Sequence, residues 1–316
     1  MNAVRARAVC LDTVMIDFAM IIDSLPVRGG DSLSSQRLVT AGGGFNMMSA
    51  ARRQGANALY VGQLGKGRFA DIARGILLNE GIQIAVAPRG DVDLGVCVVL
   101  VDQSGERTFI TSPGAELTLR SDELDAVSLV EGDVVYVSGY NVVYPEVADI
   151  VSQWLSALPA GVVVAFDPGP RAADIDTAIM TQVLRRTNWL LCNAAEARLL
   201  GGLEDVIDCA RTLREHWHFE RVVVRDGADG CVGMTDHELW RAPGFDTDVV
   251  DTNGAGDVHN GVVIAELLMA TNYDEALTRA NAAAAIAIAT FGPATCPTRD
   301  RVDALMAAQP RHATRW

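Results

Sequence analysis

The 316-residue sequence has no apolar run of the roughly 18 to 20 residues that a helix needs to cross a bilayer. Even the alanine-rich stretch Ala282 to Ala289 is short and is preceded by Arg279 and Asn281. The opening residues, MNAVRARAVCLD, carry two arginines but no sustained apolar stretch, so they do not read as a secretory signal. Six cysteines (Cys10, Cys97, Cys192, Cys209, Cys231 and Cys296) are scattered without CxxC pairing and without histidines at metal-ligand spacing. A reduced, cytoplasmic setting with no membrane partner is the expectation.

Basic residues are also scarce, with 26 Lys and Arg against 40 Asp and Glu, a formal net charge of −14. Duplex binding needs clustered cations that neutralise phosphates, and none are clustered here, so nucleic acid is not an expected partner. A small phosphate ligand remains open, because backbone N–H groups and a few placed cations supply local positive potential. No GxxxxGK[ST] loop exists, since Gly65-Lys66-Gly67 lacks the following Ser or Thr, and no GxGxxG opens the first βα unit. Five histidines (His216, His218, His237, His259 and His312) form no HExxH or triad-like set.

What is present is a composition 49% apolar and 21% charged, enough to bury a large core. The length allows two domains of about 150 residues, or one large α/β domain over 1–316 with an appendage; the single domain is the reading adopted. Apolar runs without alternation at Ala8 to Leu11, Ala58 to Val61, Asp133 to Val137, Val162 to Phe166, Trp189 to Cys192 and Val222 to Arg225 predict strands buried on both faces. Helical patterns at Asn46 to Gln54, Phe69 to Asn79, Glu146 to Leu158 and Val206 to Trp217 fall between them, the rhythm of a parallel sheet with helices on both sides. Ile16 to Val39 and Val96 to Thr111 break that rhythm. They are strand-like and turn-rich, the second a hairpin over Gln103-Ser104-Gly105, and suggest a small β appendage inserted at about 16–39 and 96–111. Helices at Gly254 to Met269, Tyr273 to Ala289 and Thr298 to Ala308 follow, with a Gly292-Pro293 turn between the last two.

The most informative stretch is Asp251-Thr252-Asn253-Gly254-Ala255-Gly256-Asp257 before a long helical pattern. Small residues admit a ligand close to backbone, and free N–H groups at a helix start bind anions. A carboxylate in such a nest can act as general base while the N–H groups hold a transferring phosphoryl group. A glycine-rich turn with an Asp cap is the other reading of these residues alone. Ala41-Gly42-Gly43-Gly44-Phe45-Asn46 is either a flexible loop or a place where a ligand lies against backbone, with the Asn46 amide bonding hydroxyls. Asn193-Ala194-Ala195-Glu196 follows a strand-like run. It reads either as a helix start or as an amide and a carboxylate at the sheet edge, where one carboxylate can hold water-coordinated Mg²⁺. Arg225-Asp226-Gly227-Ala228-Asp229-Gly230 reads as a β-turn, or as backbone passing close to phosphates with Arg225 as a cation.

In this order, a glycine-rich loop, NxxE, GxxG and DTxGAGD resemble the ribokinase-like (PfkB) carbohydrate kinase family, over about Val9 to Leu305. Tyr136 to Tyr140, Phe166 to Arg171 and Asp257-Val258-His259 most resemble an uncharacterised bacterial sugar-kinase subgroup. The resemblance implies a three-layer α/β/α sandwich with a small β-sheet lid that pairs two subunits. It implies transfer of the γ-phosphoryl of ATP, with Mg²⁺, to a primary hydroxyl of a pentose or ketohexose. Asp257 would be the base, with Gly254, Ala255 and Gly256 as the anion hole. Asn193 and Glu196 would bear on the phosphates and Mg²⁺, while Arg225, Gly227, Gly230 and Asn281 would line the nucleotide side. Asp17, Gly42, Gly43 and Asn46 match positions that hold sugar hydroxyls. A nucleoside kinase and a non-catalytic sugar- or nucleotide-binding sensor share the scaffold and are the alternatives. In part of the family a monovalent cation, K⁺, sits by the loop that here carries Asp251 and Asn253, with Ala287 and Gly292 contributing; Cys296 stands where a serine oxygen is usual, and a thiol is a poor K⁺ ligand. Met15 stands where ribokinase has an Asn, and His259 where an aromatic Phe is common. Arg107 and Arg171 are either surface salt bridges or cations for an acidic group on the substrate.

Overall fold

Apolar runs without alternation become central strands because both of their faces are covered. In β1 (Arg7–Cys10), Ala8 and Cys10 join one buried cluster while Val9, with Leu11 beyond the strand, joins the other, as the two-residue period of a strand requires. The computed structural model describes residues 5–103, 106–292 and 295–316. Residues 1–4 of the opening stretch, Ser104 and Gly105 of the expected hairpin turn, and Pro293 of the expected turn lie outside them.

The large sheet also contains β4 (Asn57–Tyr60), β5 (Gln83–Ile84), β8 (Val134–Ser138), β9 (Val163–Asp167), β10 (Trp189–Asn193), β11 (Arg221–Arg225), β12 (Cys231–Met234), β13 (Leu239–Ala242) and β14 (Thr314–Arg315). Its order is β5-β4-β1-β8-β9-β10-β11-β12-β13-β14, parallel from β5 to β11 and antiparallel beyond. Against the Ala8 face pack α1 (Gly44–Arg53), α2 (Arg68–Asn79), α8 (Ala255–Leu268), α9 (Tyr273–Ile288) and α10 (Arg299–Ala308). Against the Val9 face pack α3 (Ser121–Asp125), α4 (Pro145–Ala157), α5 (Thr177–Arg186), α6 (Ala194–Gly201) and α7 (Val206–Trp217). The result is the three-layer α/β/α sandwich that the resemblance implies.

The two segments that break the βα rhythm form a second sheet of β2 (Val14–Ile22), β3 (Ser34–Gly43), β6 (Val96–Val101) and β7 (Arg107–Ser112), in the order β3-β2-β6-β7. On the face opposite Asp17, Phe18 is set edge-on to Phe69 of α2, with ring centroids 5.8 Å apart. Ala19, Cys97, Val99 and Val101 form a small apolar cluster of their own with Leu38 and Phe291.

The expected loop at Gly42 and Gly43 is instead the end of β3, and α1 begins at Gly44. The expected turn after Arg225 is a short 3-10 helix over Gly227–Asp229. The close approach of α1 and α8 decides where the site lies. A Cβ at Gly261 would come 2.3 Å from the Met47 carbonyl oxygen, so only glycine permits this spacing. One turn earlier, that contact brings Asp257 of α8 against Asn46 of α1.

Candidate active site

The carboxyl ends of β1, β8, β9, β10 and β11 open into a cleft of about 740 Å³, covered on one side by the small sheet. This end of a parallel sheet is where α/β proteins place ligands. Asp257, Gly254, Ala255, Gly256, Asn193, Glu196, Arg225, Asp17, Gly43 and Asn46 all line it, as do Asn253, Arg107 and Arg171.

Gly254 caps α8 with φ 73°, a left-handed turn that glycine adopts freely. The first turn of α8 leaves its leading N–H groups without intrahelical acceptors, so positive potential points into the cleft. Asp257 sits in that turn, and its Oδ2 accepts from Asn46 Nδ2 at 3.1 Å. Burial and then the neighbouring Asp12 push the Asp257 carboxyl up to about 7, while Asn46 and Arg225 oppose the shift. A carboxyl poised near neutrality is suited to proton abstraction. Asn46 Oδ1 is buried without a hydrogen-bond partner among the described residues, an acceptor left free beside the carboxylate.

Sequence reasoning missed Asp12, although its place directly after a buried strand is the same signal that singled out Asn193. Asp12 is buried, and its Oδ1 accepts from Ser138 Oγ at 2.5 Å and from the Thr13 N–H at 2.7 Å. Burial still pushes it up to about 7.

On the opposite wall, Asn193 and Glu196 form a reciprocal cap on α6. The Asn193 N–H and Nδ2 donate to Glu196 Oε2 and Oε1, each at 2.8 Å, and Asn193 Oδ1 accepts from the Glu196 N–H at 2.9 Å. The helix-start reading of NxxE therefore holds, and the capped pair faces the cleft. Burial and the charge of Asp167 push Glu196 up to about 7. Between these acids lies Arg225, 3.1 Å from Asp167 Oδ2 and 3.8 Å from Glu196 Oε2. Burial works against the Arg225 charge, yet Asp167 and Glu196 hold its pKa above the usual value. Asn260 of α8 completes the network, donating to Asp167 Oδ2 at 2.6 Å.

The cleft does not reach Gly227, Gly230 or Asn281, which the resemblance places on the nucleotide side. A Cβ at Gly230 would come 2.1 Å from the Ala242 carbonyl oxygen, so this glycine packs the turn against the chain after β13. Asn281 Nδ2 donates to the Ala242 and Pro243 carbonyls at 2.9 and 3.1 Å, and its Oδ1 lies 3.1 Å from His259 Nε2. His259 is a buried side chain between helices, as its place at a common aromatic position anticipates.

Under the small sheet, Asp17 is only 8% exposed and accepts no hydrogen bond from the described residues. Burial pushes it up to about 7. A buried carboxyl without donors has its oxygens available to ligand hydroxyls. Gly42 makes room for it, because a Cβ there would fall 2.1 Å from Asp17 Oδ2. Gly43, at φ 62°, closes to the Thr13 carbonyl.

Four buried acids near 7 set the pH dependence of the ligand-free protein. Asp12, Asp17, Glu196 and Asp257 all lie above their ordinary values, so folding takes up protons between about pH 4 and 7. Stability from these groups is greatest at acid pH and is lost as pH rises through 7. His259, pushed down to about 3 by burial, slopes the other way only below its ordinary value near 6.5. The urea midpoint is expected to be lower at pH 8 than at pH 6.5, and an equal or higher midpoint at pH 8 would contradict the shifts.

The model of the pfkB family carbohydrate kinases matches residues 5–300. The chain belongs to this family. It is 30% identical over 300 residues to the uncharacterized sugar kinase YegV of Escherichia coli, covering 92% of each chain. The ribokinase of Thermotoga maritima superposes with a TM-score of 0.78 at 22% identity, over 96% of this chain and all of that one. Phosphofructokinase-2 of Escherichia coli, solved in complex with potassium, superposes with a TM-score of 0.78 at 18% identity, over 97% of this chain and all of that one. This kinase therefore has the ribokinase fold with its small sheet, and among the described residues no helix is long and apolar enough to cross a membrane.

Tested against the expected monovalent-cation site, the residues do not fit a free ion. Asp251 Oδ1 faces Arg107 Nη1 at 3.3 Å and accepts from the Asn253 N–H at 2.9 Å, while Oδ2 accepts from the Gly292 N–H at 3.0 Å. The Ala287 carbonyl accepts from Thr295 Oγ1 at 3.0 Å and from the Thr290 N–H at 3.1 Å. Cys296 is turned to the Pro297 carbonyl. A guanidinium at the carboxylate repels a second cation.

Proposed function

We propose that this kinase moves the γ-phosphoryl of ATP to a primary hydroxyl of a sugar of pentose or ketohexose type, with Asp257 as general base. The observation that carries the reading is the Asp257 carboxylate, poised near neutrality in the first turn of α8 and hydrogen-bonded by Asn46. The base takes the hydroxyl proton. The N–H groups over Gly254, Ala255 and Gly256 balance charge on the transferring phosphoryl, which needs alignment and charge stabilisation more than covalent help. Arg225 is within reach of that nest, for a Cβ at Gly256 would lie 3.4 Å from its Nη2. Glu196 fits a metal held through water, because each oxygen spends one lone pair on Asn193 and keeps others. Mg²⁺ there would neutralise phosphate charge.

Asp17, with Gly42 behind it, and the free oxygen of Asn46 are the hydroxyl acceptors for the sugar. Gly42→Ala would drive a Cβ into the Asp17 carboxylate. It is expected to raise the acceptor KM by about 10-fold or more, the scale of a lost hydrogen bond to a charged group, with the KM for ATP unchanged. Equal KM values in variant and wild type would remove Asp17 from the acceptor site. Met15 lines the same pocket and offers a hydroxyl only a weak thioether acceptor, which favours an acceptor with an apolar face there and keeps a nucleoside as the second reading.

Closure of the small sheet would exclude water that competes for the γ-phosphoryl. The face of that sheet turned away from the cleft exposes Val39 and Ile110, apolar surface suited to pairing with a second copy as a homodimer. A panel of sugars, sugar acids, sugar phosphates and nucleosides, read by ADP release, tests the function. Turnover confined to sugars supports it. Turnover confined to nucleosides selects the second reading, and tight sugar binding with no ADP across the panel makes the protein a sensor and overturns it.

A further inference from the structure

The side chain of Asp251 is 4% exposed, at the head of the loop that caps α8. Burying an ionised carboxylate is costly unless a countercharge and hydrogen bonds surround it. Two backbone N–H groups, from Asn253 and Gly292, supply the hydrogen bonds. The countercharge comes from Arg107, the first residue of β7, whose Nη1 lies 3.3 Å from Oδ1 and whose Nη2 donates to Thr252 Oγ1. Among the described residues no other Lys or Arg pairs with Asp251. Arg107 thus crosses from the small sheet to the loop that shapes the anion hole. It pairs with Val101 where the β6–β7 hairpin leaves the sheet, so a shift of the hairpin moves the guanidinium with it.

We propose that Arg107 is the built-in monovalent cation of this kinase: it balances Asp251 in place of a potassium-type ion and couples closure of the small sheet to the geometry of the anion hole. A free ion leaves the carboxylate charge dependent on salt, whereas an arginine on the sheet ties it to sheet position. Arg107 touches Asp251 and Thr252 rather than the reacting atoms, so it is a positioning residue. Two consequences distinguish this role from an ordinary ion pair. The wild-type enzyme is indifferent to K⁺, and removing the guanidinium creates a K⁺ dependence that the wild type lacks.

The test compares wild type, Arg107→Met and Arg107→Lys in KCl and in tetramethylammonium chloride at equal ionic strength. Hydrogen exchange is read first on the ligand-free protein. Arg107→Met is expected to speed exchange at 251–257 and at Arg107–Ser112 by 10-fold or more, with K⁺ but not tetramethylammonium restoring part of the protection at 251–257. Arg107→Lys falls between, and the wild type exchanges equally in both salts. This arm uses neither nucleotide nor acceptor, so its outcome is separate from the assignment of Asp257 as base. The kinetic arm, which rests on the kinase reading, expects kcat to fall about 100-fold in Arg107→Met, the scale of a misplaced site, with the KM for ATP changed less than about threefold and K⁺ recovering part of kcat. Wild-type exchange or rate that changes more than twofold with K⁺ overturns the proposal. So does unaltered exchange at 251–257 in Arg107→Met. Should that variant not fold, the wild-type salt comparison and Arg107→Lys decide: salt-indifferent wild type with faster 251–257 exchange in Arg107→Lys supports it, and salt-sensitive wild type or unchanged exchange overturns it.

Discussion

Replacing Asp257 by Asn is expected to lower kcat by about 10³-fold, within the range that a positioned proton acceptor contributes, while ATP binding stays close to wild type. Asn keeps the shape of the side chain and an oxygen to accept from Asn46 Nδ2, so α1 and α8 keep their contact. What disappears is the group that takes the hydroxyl proton. The N–H groups of the α8 turn remain, and with them the residual rate above the uncatalysed reaction. The pH profile supplies the sign. Because burial and Asp12 push the Asp257 carboxyl up to about 7, kcat/KM of the wild type falls as pH drops below that value and the base becomes protonated. Asp12→Asn removes a neighbouring negative charge, lowers the Asp257 pKa and moves the acid limb to lower pH. Stopped-time assays of ADP release across pH 5 to 9 check both. Near-wild-type turnover in Asp257→Asn sinks the base assignment, and an unmoved limb in Asp12→Asn sinks the electrostatic account of it.

The parts of this site that were legible in the sequence are those written in adjacent residues. DTNGAGD carries its glycine turn, its helix start and its carboxylate within one loop, and NAAE carries both halves of a cap, so spacing alone locates them on the fold. Relations across the chain were not legible. The purpose of Gly42 is Asp17, which lies opposite on β2, where Asp17 pairs with Thr40 and a Cβ on Gly42 would strike its carboxylate. Asp12 carries no motif, and its effect on Asp257 arises only because β1 and the start of α8 end at the same place. Arg107 was open between a salt bridge and a substrate cation; the fold gives it a buried partner, Asp251, 144 residues away. The central strands were legible for a similar reason, since a strand covered on both faces must be apolar throughout. The antiparallel strands β13 and β14 at the sheet edge have no such requirement and left no comparable signal.

Arg225→Met is expected to cost about 3 to 5 kcal/mol of stability near pH 8, the usual consequence of removing one partner from a buried ion network. Arg225 is the cation between Asp167 and Glu196, and its guanidinium also donates to Asn260 Oδ1. Methionine fills much of the same space, so packing changes little and the loss is chiefly of charge. Among the described residues, the two acids are then left facing each other under the α8 turn with the Asn193 N–H and side-chain amide, the Asn260 amide and the Gly169 N–H to hold them. They escape by taking up protons, and Glu196, already pushed up to about 7, does so first. The cost is therefore smaller near pH 6 and grows as pH rises, a slope steeper than that of the wild type. In thermal melts the variant should lose roughly 5 to 10 °C at pH 8 and distinctly less at pH 6. Asp167→Asn in the same background removes the stranded charge and should recover part of the loss, a non-additive pair expected of residues in one network. A drop of less than about 2 °C at both pH values would mean that the acids are neutral in the folded protein, and that Arg225 serves the nucleotide rather than the fold.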